Sequence, residues 1–319
     1  MKRFLFGMIL TAAIITVGFR EGEAVDKQEI APIEGKIAFV TDHSEKTRDI
    51  AILEKGQIKF IDEISGKPRW SKDGKKLLYV NMDKIGKLVV VDYQSGGKRY
   101  FQPYPGQEPV LFNDETTFEV RDAYLDPKNP KNNTQGVYLF NLQTMEAKKL
   151  YESEPGRLIF SIDFAPTGNK MLIADGRLFV GAFEKNQLSG VKQIGYAKWA
   201  RFSPDGKKIV LSNSYDQDGK KIGDYDQIFI LDLETKKTTQ LTNNQWNNRE
   251  PCWSPNGKKI CFASAREGHP IVGAALYAIN MDGTGEQRIS PKGEYSDYKK
   301  YPGSGYWRPY TDTEPDWAP

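Results

Sequence analysis

Histidine and cysteine are nearly missing from this 319-residue chain, with two of each. His43 and His269 stand far apart, which excludes a metal centre built on several imidazoles. Each reads as a loop or surface residue. A Ser-His-Asp set needs only one histidine, yet no Gly-x-Ser-x-Gly elbow precedes a helical stretch. Long amphipathic helical periodicity is absent too. Together with frequent glycine, 29 in all, this favours an all-β chain. Blocks of Lys or Arg are missing, and 45 basic residues against 42 acidic ones give a net charge of +3. No global field draws such a chain to nucleic acid or to an anionic membrane.

What is present is repetition. The stretch Cys252-Trp253-Ser254-Pro255-Asn256-Gly257-Lys258-Lys259-Ile260-Cys261 reads as an aromatic strand end, a tight turn and an outgoing apolar strand. Proline presets φ at the first central turn position, Asn or Asp suits the second, and the Gly after it tolerates positive φ. The unit recurs from Phe202 to Leu211 and from Trp70 to Tyr79, more weakly from Phe164 to Ile173, and without its Pro and Gly from Leu111 to Phe118. Such a unit, spaced at about 40–50 residues, marks a β-propeller or a solenoid. Each is followed by two further β runs, for example 88–92 and 98–101 after Trp70, or 228–232 and 238–242 after Phe202. Four short strands per repeat is the content of one propeller blade.

The ends decide closure. Glu314-Pro315-Asp316-Trp317-Ala318-Pro319 begins a sixth unit and stops at the turn. Its missing strands stand near the other end, at 35–40, 49–53 and 57–61. The expectation is an all-β, six-bladed propeller over 36–319, closed by pairing the C-terminal strand with N-terminal strands, a ring with few open sheet edges. Ahead of it, Lys2-Arg3 followed by the mostly apolar residues 4–17 has the shape of a secretory signal and is short for a membrane span of about 20 residues. Residues 1–24 are assigned as signal peptide and 25–35 as linker, with an uncleaved anchor as the other reading. Either places the body of the chain outside the cytoplasm, in the periplasm or secreted.

The repeats at 253–259 (Trp-Ser-Pro-Asn-Gly-Lys-Lys) and 202–208 (Phe-Ser-Pro-Asp-Gly-Lys-Lys) resemble those of the TolB-type, WD-like propellers, over about 36–319. The resemblance is specific for fold and weak for function. It implies a protein-interaction role in the cell envelope. TolB carries an α/β domain before its propeller, and here the expectation is a propeller without it. Propeller domains of prolyl-oligopeptidase-type peptidases belong to the same broad group, and their hydrolase domain is not expected either.

Propeller sites lie where loops converge on the central channel. Glu108-Pro109, Glu250-Pro251 and Glu314-Pro315 precede three strand-end anchors, which would set three carboxylates on one rim with Arg249 and Arg69 nearby. That rim reads as an acidic collar for a basic group or cation, or as glutamates that bond backbone amides. The loop 295–310 is rich in aromatics, and Tyr298, Tyr301, Tyr306, Trp307 and Arg308 would grip a peptide, a glycan or a protein. They could equally pack as a lid over the channel. Tyr215 to Asp226 starts Asp-x-Asp-Gly but lacks a closing Glu, and reads as a solvated hairpin loop. The stretch 121–136 reads as a mobile blade insertion. Cys252 and Cys261 flank one hairpin, facing each other or offset by one, and a bridge between them stays open.

The expected function is therefore a non-catalytic envelope scaffold, monomeric, needing no metal or cofactor and binding another envelope protein or a peptide. A small-ligand or glycan-binding propeller is the alternative, and a hydrolase or lyase a more distant one.

Overall fold

The computed structural model describes residues 15–16, 33–41, 49–62, 65–81, 86–102, 106–113, 116–124, 127–216, 218–267, 274–290 and 313–319. Among these residues the chain forms six antiparallel sheets arranged as the blades of a propeller. A two-residue strand β1 (Ile15–Thr16) comes first. Blade 1 consists of β5 (Ser65–Trp70), β6 (Lys76–Asn81), β7 (Lys87–Asp92) and β8 (Gly97–Phe101), and β1 pairs with β8 at its outer edge. Blade 2 holds β9 (Gln107–Asn113), β10 (Thr116–Tyr124), β11 (Thr134–Asn141) and β12 (Ala147–Glu152). Blade 3 holds β13 (Ser161–Phe164), β14 (Lys170–Ala174), β15 (Leu178–Glu184) and β16 (Gln187–Gly195). Blade 4 holds β17 (Trp199–Phe202), β18 (Lys208–Asn213), β19 (Gln227–Asp232) and β20 (Thr238–Gln240). Blade 5 holds β21 (Asn248–Trp253), β22 (Lys259–Ser264), β23 (Ala275–Asn280) and β24 (Gln287–Arg288).

Blade 6 is shared between the chain ends. β25 (Thr313–Ala318) pairs with β2 (Lys36–Thr41), which continues through β3 (Asp49–Glu54) to β4 (Gln57–Asp62). This is the closure that the truncated sixth repeat implies. Local contacts fasten it: Trp317 Nε1 donates to Glu34 O at 2.7 Å and Lys36 Nζ to Pro319 O at 2.5 Å. Gly35 makes the approach possible, because its φ is +80° and a Cβ there would stand 2.2 Å from Ala318 O.

Each blade is sandwiched between two others, so its middle strands must be apolar on both faces. In β6, Leu77 and Tyr79 pack toward blade 6, while Leu78 and Val80 pack toward blade 2. In β2, Ile37 and Phe39 face blade 5, and Ala38 and Val40 face blade 1. Six buried clusters result, one at each junction between consecutive blades.

The repeated turn has one hydrogen-bond pattern at three blades. Ser203 N–H donates to Lys208 O (2.8 Å), Ser203 Oγ accepts from Lys208 N–H (2.9 Å), and the Ser203 hydroxyl donates to Asp205 (2.6 Å). The turn glycine sits at positive φ, +66° at Gly74, +69° at Gly206 and +70° at Gly257. Ser71 and Ser254 repeat the same contacts with Asp73 and Asn256. The Ser hydroxyl and a backbone N–H hold the Asp73 and Asp205 carboxyls below their ordinary range.

The stretch 121–136 is shorter as an insertion than its composition suggests. Arg121, Asp122 and Tyr124 continue the ladder opposite Gly136, Gln135 and Thr134. A 3₁₀ turn at Pro130–Asn132, capped by the Asn129 side chain, follows before β11. Ladder pairing on both flanks, which proline and asparagine content does not reveal, accounts for the difference.

Candidate functional site at the propeller axis

The innermost strands β25, β5, β9, β13, β17 and β21 follow one another round a closed ring, each in contact with the next. Four of the six carry a register shift: between Gly66 and Arg69 in β5, opposite Phe118/Val120 in β9, between Arg249 and Cys252 in β21, and opposite Ala38/Val40 in β25. At each lies an X-Pro pair: Lys67-Pro68, Glu108-Pro109, Glu250-Pro251 and Glu314-Pro315. Proline has no N–H for the ladder and is tolerated where a bulge interrupts it. The residue before proline adopts positive φ at Lys67 (59°), Glu250 (53°) and Glu314 (54°).

These bulges clasp neighbouring blades. Glu250 Oε2 accepts from Glu314 N–H at 2.7 Å, and Glu314 Oε2 accepts from Lys67 N–H at 2.6 Å. The Lys67 ammonium lies 3.5 Å from Glu314 Oε1. Three consecutive blades, 5, 6 and 1, are thus tied head to tail at the start of their inner strands. Burial, and next the adjacent Glu314 carboxylate, raise the pKa of Glu250, with Arg249 and Lys67 opposing. The Arg249 guanidinium stands 5.9 Å from the Trp199 ring centroid, and the Phe160 ring lies 5.9 Å from the same centroid, tilted by 57°.

A second layer lies one residue before each aromatic anchor. Asp316 Oδ2 accepts from Trp70 N–H (2.6 Å), and Asp163 Oδ2 accepts from Phe202 N–H (2.8 Å), each reaching into the next blade. Arg69 Nη2 donates to Asp163 Oδ1 at 3.1 Å. Blade 2 stands between these two residues in the ring, so they meet on the axis side. Asp316 in turn feels Arg69, Arg201 and Asp163 from blades 1, 4 and 3. Burial raises its pKa, and the two guanidiniums oppose that rise. Two arginines and two aspartates therefore converge on the axis in a compensated quartet. At the rim, Lys67 and Arg249 likewise offset Glu250 and Glu314. The described part of the collar is balanced rather than acidic.

The sequence-assigned residues divide accordingly. Glu250, Glu314 and Arg249 are brought together at the rim. Glu108 lies at the equivalent bulge of β9, with its side chain outside the described residues, and Tyr298, Tyr301, Tyr306, Trp307 and Arg308 also lie outside them. Lys67, Trp199, Asp163, Arg201 and Asp316 were not singled out from sequence. One signal was available: X-Pro-x-Trp occurs as Lys-Pro-Arg-Trp, Glu-Pro-Cys-Trp and Glu-Pro-Asp-Trp, ending at Trp70, Trp253 and Trp317.

A separate pocket of about 380 Å³ opens between blades 3 and 4. Leu178, Leu211, Phe229 and Leu231 are among the apolar residues lining it, with Tyr196 and Tyr215 among its polar-tipped ones. The loop beside it is organised by Asp216, whose Oδ1 accepts from Asp218 N–H (3.0 Å) and Lys220 N–H (2.8 Å). Gly219 lies against Tyr196 so closely that a Cβ would stand 2.5 Å from its ring.

Fold and axis define a six-bladed propeller whose inner strands are tied by carboxylates. The TolB β-propeller domain model matches residues 110–306, well over half of the chain, and the chain belongs to that family. Among solved structures it is similar to TolB from Acinetobacter baumannii, with a TM-score of 0.66, 21% identity, and coverage of 89% of this chain and 67% of that one. It is also similar to an oligogalacturonate lyase in complex with manganese, with a TM-score of 0.53, 14% identity, and coverage of 85% and 77%. Both likenesses concern the fold. An uncharacterized protein, Atu1656, of Agrobacterium fabrum (strain C58 / ATCC 33970) is 29% identical over 104 residues, which is 33% of this chain and 31% of that protein. The match thus spans about a third of that relative's length. Among the described residues no helix is long and apolar enough to cross a membrane.

Proposed function

We propose that this propeller is a non-catalytic, monomeric protein-interaction scaffold of the cell envelope, exported to the periplasm or beyond. The observation that carries the reading is the use of the rim carboxylates. Glu250 and Glu314 each accept a backbone N–H from the adjoining blade. A carboxylate so engaged is a fastening, and a general acid or base has to be able to meet a substrate's proton. The fastened ring then offers a rigid rim with Arg249 stacked on Trp199, a combination of the residue types that anchor interfaces. On this reading Glu108 and the aromatic residues Tyr298, Tyr301, Tyr306, Trp307 and Arg308 of 295–310 also take part in binding, and an envelope protein or an extended peptide is the partner.

The test is a pull-down from envelope extract with the intact chain and with one lacking 295–310, each confirmed folded by circular dichroism. A protein captured by the intact chain and by neither the deletion nor Arg249→Ala supports the reading. Equal recovery from all three samples, or from none, overturns it.

A second reading, small-ligand binding, is favoured by the pocket between blades 3 and 4. Its apolar floor and tyrosines would suit a compact amphiphilic molecule or a sugar ring. Saturable binding of such a compound that Tyr215→Ala abolishes and Trp307→Ala leaves intact would support it. Loss with Trp307→Ala instead would move the glycan site to the 295–310 segment.

A further inference from the structure

Cys252 and Cys261 are direct partners across β21 and β22. Both are buried, in the apolar cluster between blades 5 and 6, and their thiols interact side chain to side chain. The class of their pairing follows from the turn beside them. Ser254 N–H donates to Lys259 O at 2.8 Å, which makes that pair hydrogen-bonded. Antiparallel pairs alternate, so Trp253–Ile260 is non-hydrogen-bonded and Cys252–Cys261 hydrogen-bonded again. Such a pair holds its Cα atoms about 5.5 Å apart, inside the range of about 4.4–6.8 Å that a disulfide spans. Its Cβ atoms are wider apart than at a non-hydrogen-bonded pair, so a bridge there carries strain and is more easily reduced than a relaxed one. The bulge between Arg249 and Cys252 abuts the pair and adds local twist.

We propose that Cys252 and Cys261 close a cross-strand disulfide when the chain folds in contact with a thiol–disulfide oxidant. The bridge ties the two inner strands of blade 5 and fixes the base of the bulge that carries Arg249 and Glu250. That the bond forms in the cell rests on the exported location proposed above, because reducing compartments keep thiols free. One cysteine thiolate attacks the oxidant's disulfide, forming a mixed disulfide and expelling one thiolate. The second cysteine thiolate then attacks the protein sulfur of that mixed disulfide and expels the other. Two electrons reduce the oxidant, and the two cysteine protons pass to its two leaving thiolates. Burial raises the Cys261 thiol well above its ordinary pKa, with Cys252 contributing, so the folded pair reacts slowly. The exchange belongs to folding, before blades 5 and 6 close over the sulfurs.

The experiment refolds the full chain in a mixture of glutathione and glutathione disulfide, then counts thiols with a maleimide under denaturing conditions. The expected result is no labelled thiol, a mass lower by two hydrogens, and two labels after reduction. Cys252→Ala and Cys261→Ala each leave one thiol that labels. Two labelled thiols in the refolded monomer, or bridges found only between chains, overturn the proposal. Chain secreted into an oxidising bacterial compartment and trapped with acid gives the same count without an unfolding step, and there too two free thiols reject it. Reduction is expected to lower the melting temperature of the wild type and to leave the double alanine variant unchanged. Protein that bridges on refolding but carries free thiols when taken from its native source retains the geometry and rejects the exported location.

Discussion

Two of the six inner strands, β13 and β17, run in unbroken register against their partners, whereas β5, β9, β21 and β25 each carry an X-Pro bulge. Bulged and regular strands hold the ring by different means. In blades 5, 6 and 1 the residue before proline turns to positive φ, and a glutamate side chain clasps the next bulge's N–H. Between blades 3 and 4 the regular strand β13 relies on shorter side chains alone, the kind of contact that Asp316 adds beyond the bulge of β25. Ser161 Oγ accepts from Ala200 N–H at 3.0 Å, and Asp163 from Phe202 N–H. The requirement is the same in both regions, since backbone N–H groups at the inner edge have to be satisfied where blades meet. Side-chain length follows the local backbone path.

Breaking the regular side gives the largest expected effect. Asp163→Ala leaves Arg69, only 7% exposed at its side chain, without its aspartate, and also removes the acceptor for Phe202 N–H. A loss of about 3–5 kcal/mol in urea unfolding is expected, the range for removing one partner of a buried ion pair. An effect below about 1 kcal/mol would mean that Asp316 or water takes over.

On the bulged side, Glu314→Ala removes the acceptor of Lys67 N–H together with the partly exposed ion pair to the Lys67 ammonium. About 1–3 kcal/mol is expected, from the cost of a desolvated donor left unmade. Equal losses for Asp163→Ala and Glu314→Ala would erase the distinction between the regions.

The turns common to both kinds of blade offer a smaller effect. Gly206→Ala places a Cβ at φ +69°, with about 1–2 kcal/mol of strain expected and no change in the channel.

The smallest effect separates the two regions by pH. The folded pKa of Glu250 is raised, so the folded chain keeps this proton where the unfolded chain has released it. Its contribution to stability therefore falls as pH rises from the ordinary glutamate value of 4.5 through the raised folded value. Glu250→Gln, whose amide oxygen can still accept from Glu314 N–H, is expected to gain melting temperature relative to wild type as pH rises above 4.5. A constant difference over that rise would show that Glu250 is not the group responsible.

Much of the fold was legible because its signals are local. The Ser-Pro-Asp-Gly and Ser-Pro-Asn-Gly turns set φ by themselves, and the runs at 77–80 and 88–91 are apolar on both faces, as a sandwiched sheet demands. The half-repeat at Glu314–Pro319 announced the closure. Less was legible at the axis. The Glu-Pro pairs were visible, and bonding to backbone amides was one of their two readings, but which N–H groups Glu250 and Glu314 clasp was not, because a neighbouring blade supplies them. Lys67-Pro68 shares their spacing, yet a lysine does not look like a carboxylate collar until its N–H and ammonium are found on Glu314. Arg69 and Asp163 are 94 positions apart in the chain, and nothing in either repeat names the other.

The sequence by itself determined the repeat, the blade count, the turn chemistry and the pairing of the two chain ends, since each depends on short-range backbone preference and on the period of apolar residues. Only the tertiary structure decided which charges meet on the axis, how the rim comes to be balanced, and that Cys252 lies directly opposite Cys261. Those depend on register and on the ring's closure, which bring together atoms from blades that the chain order keeps apart.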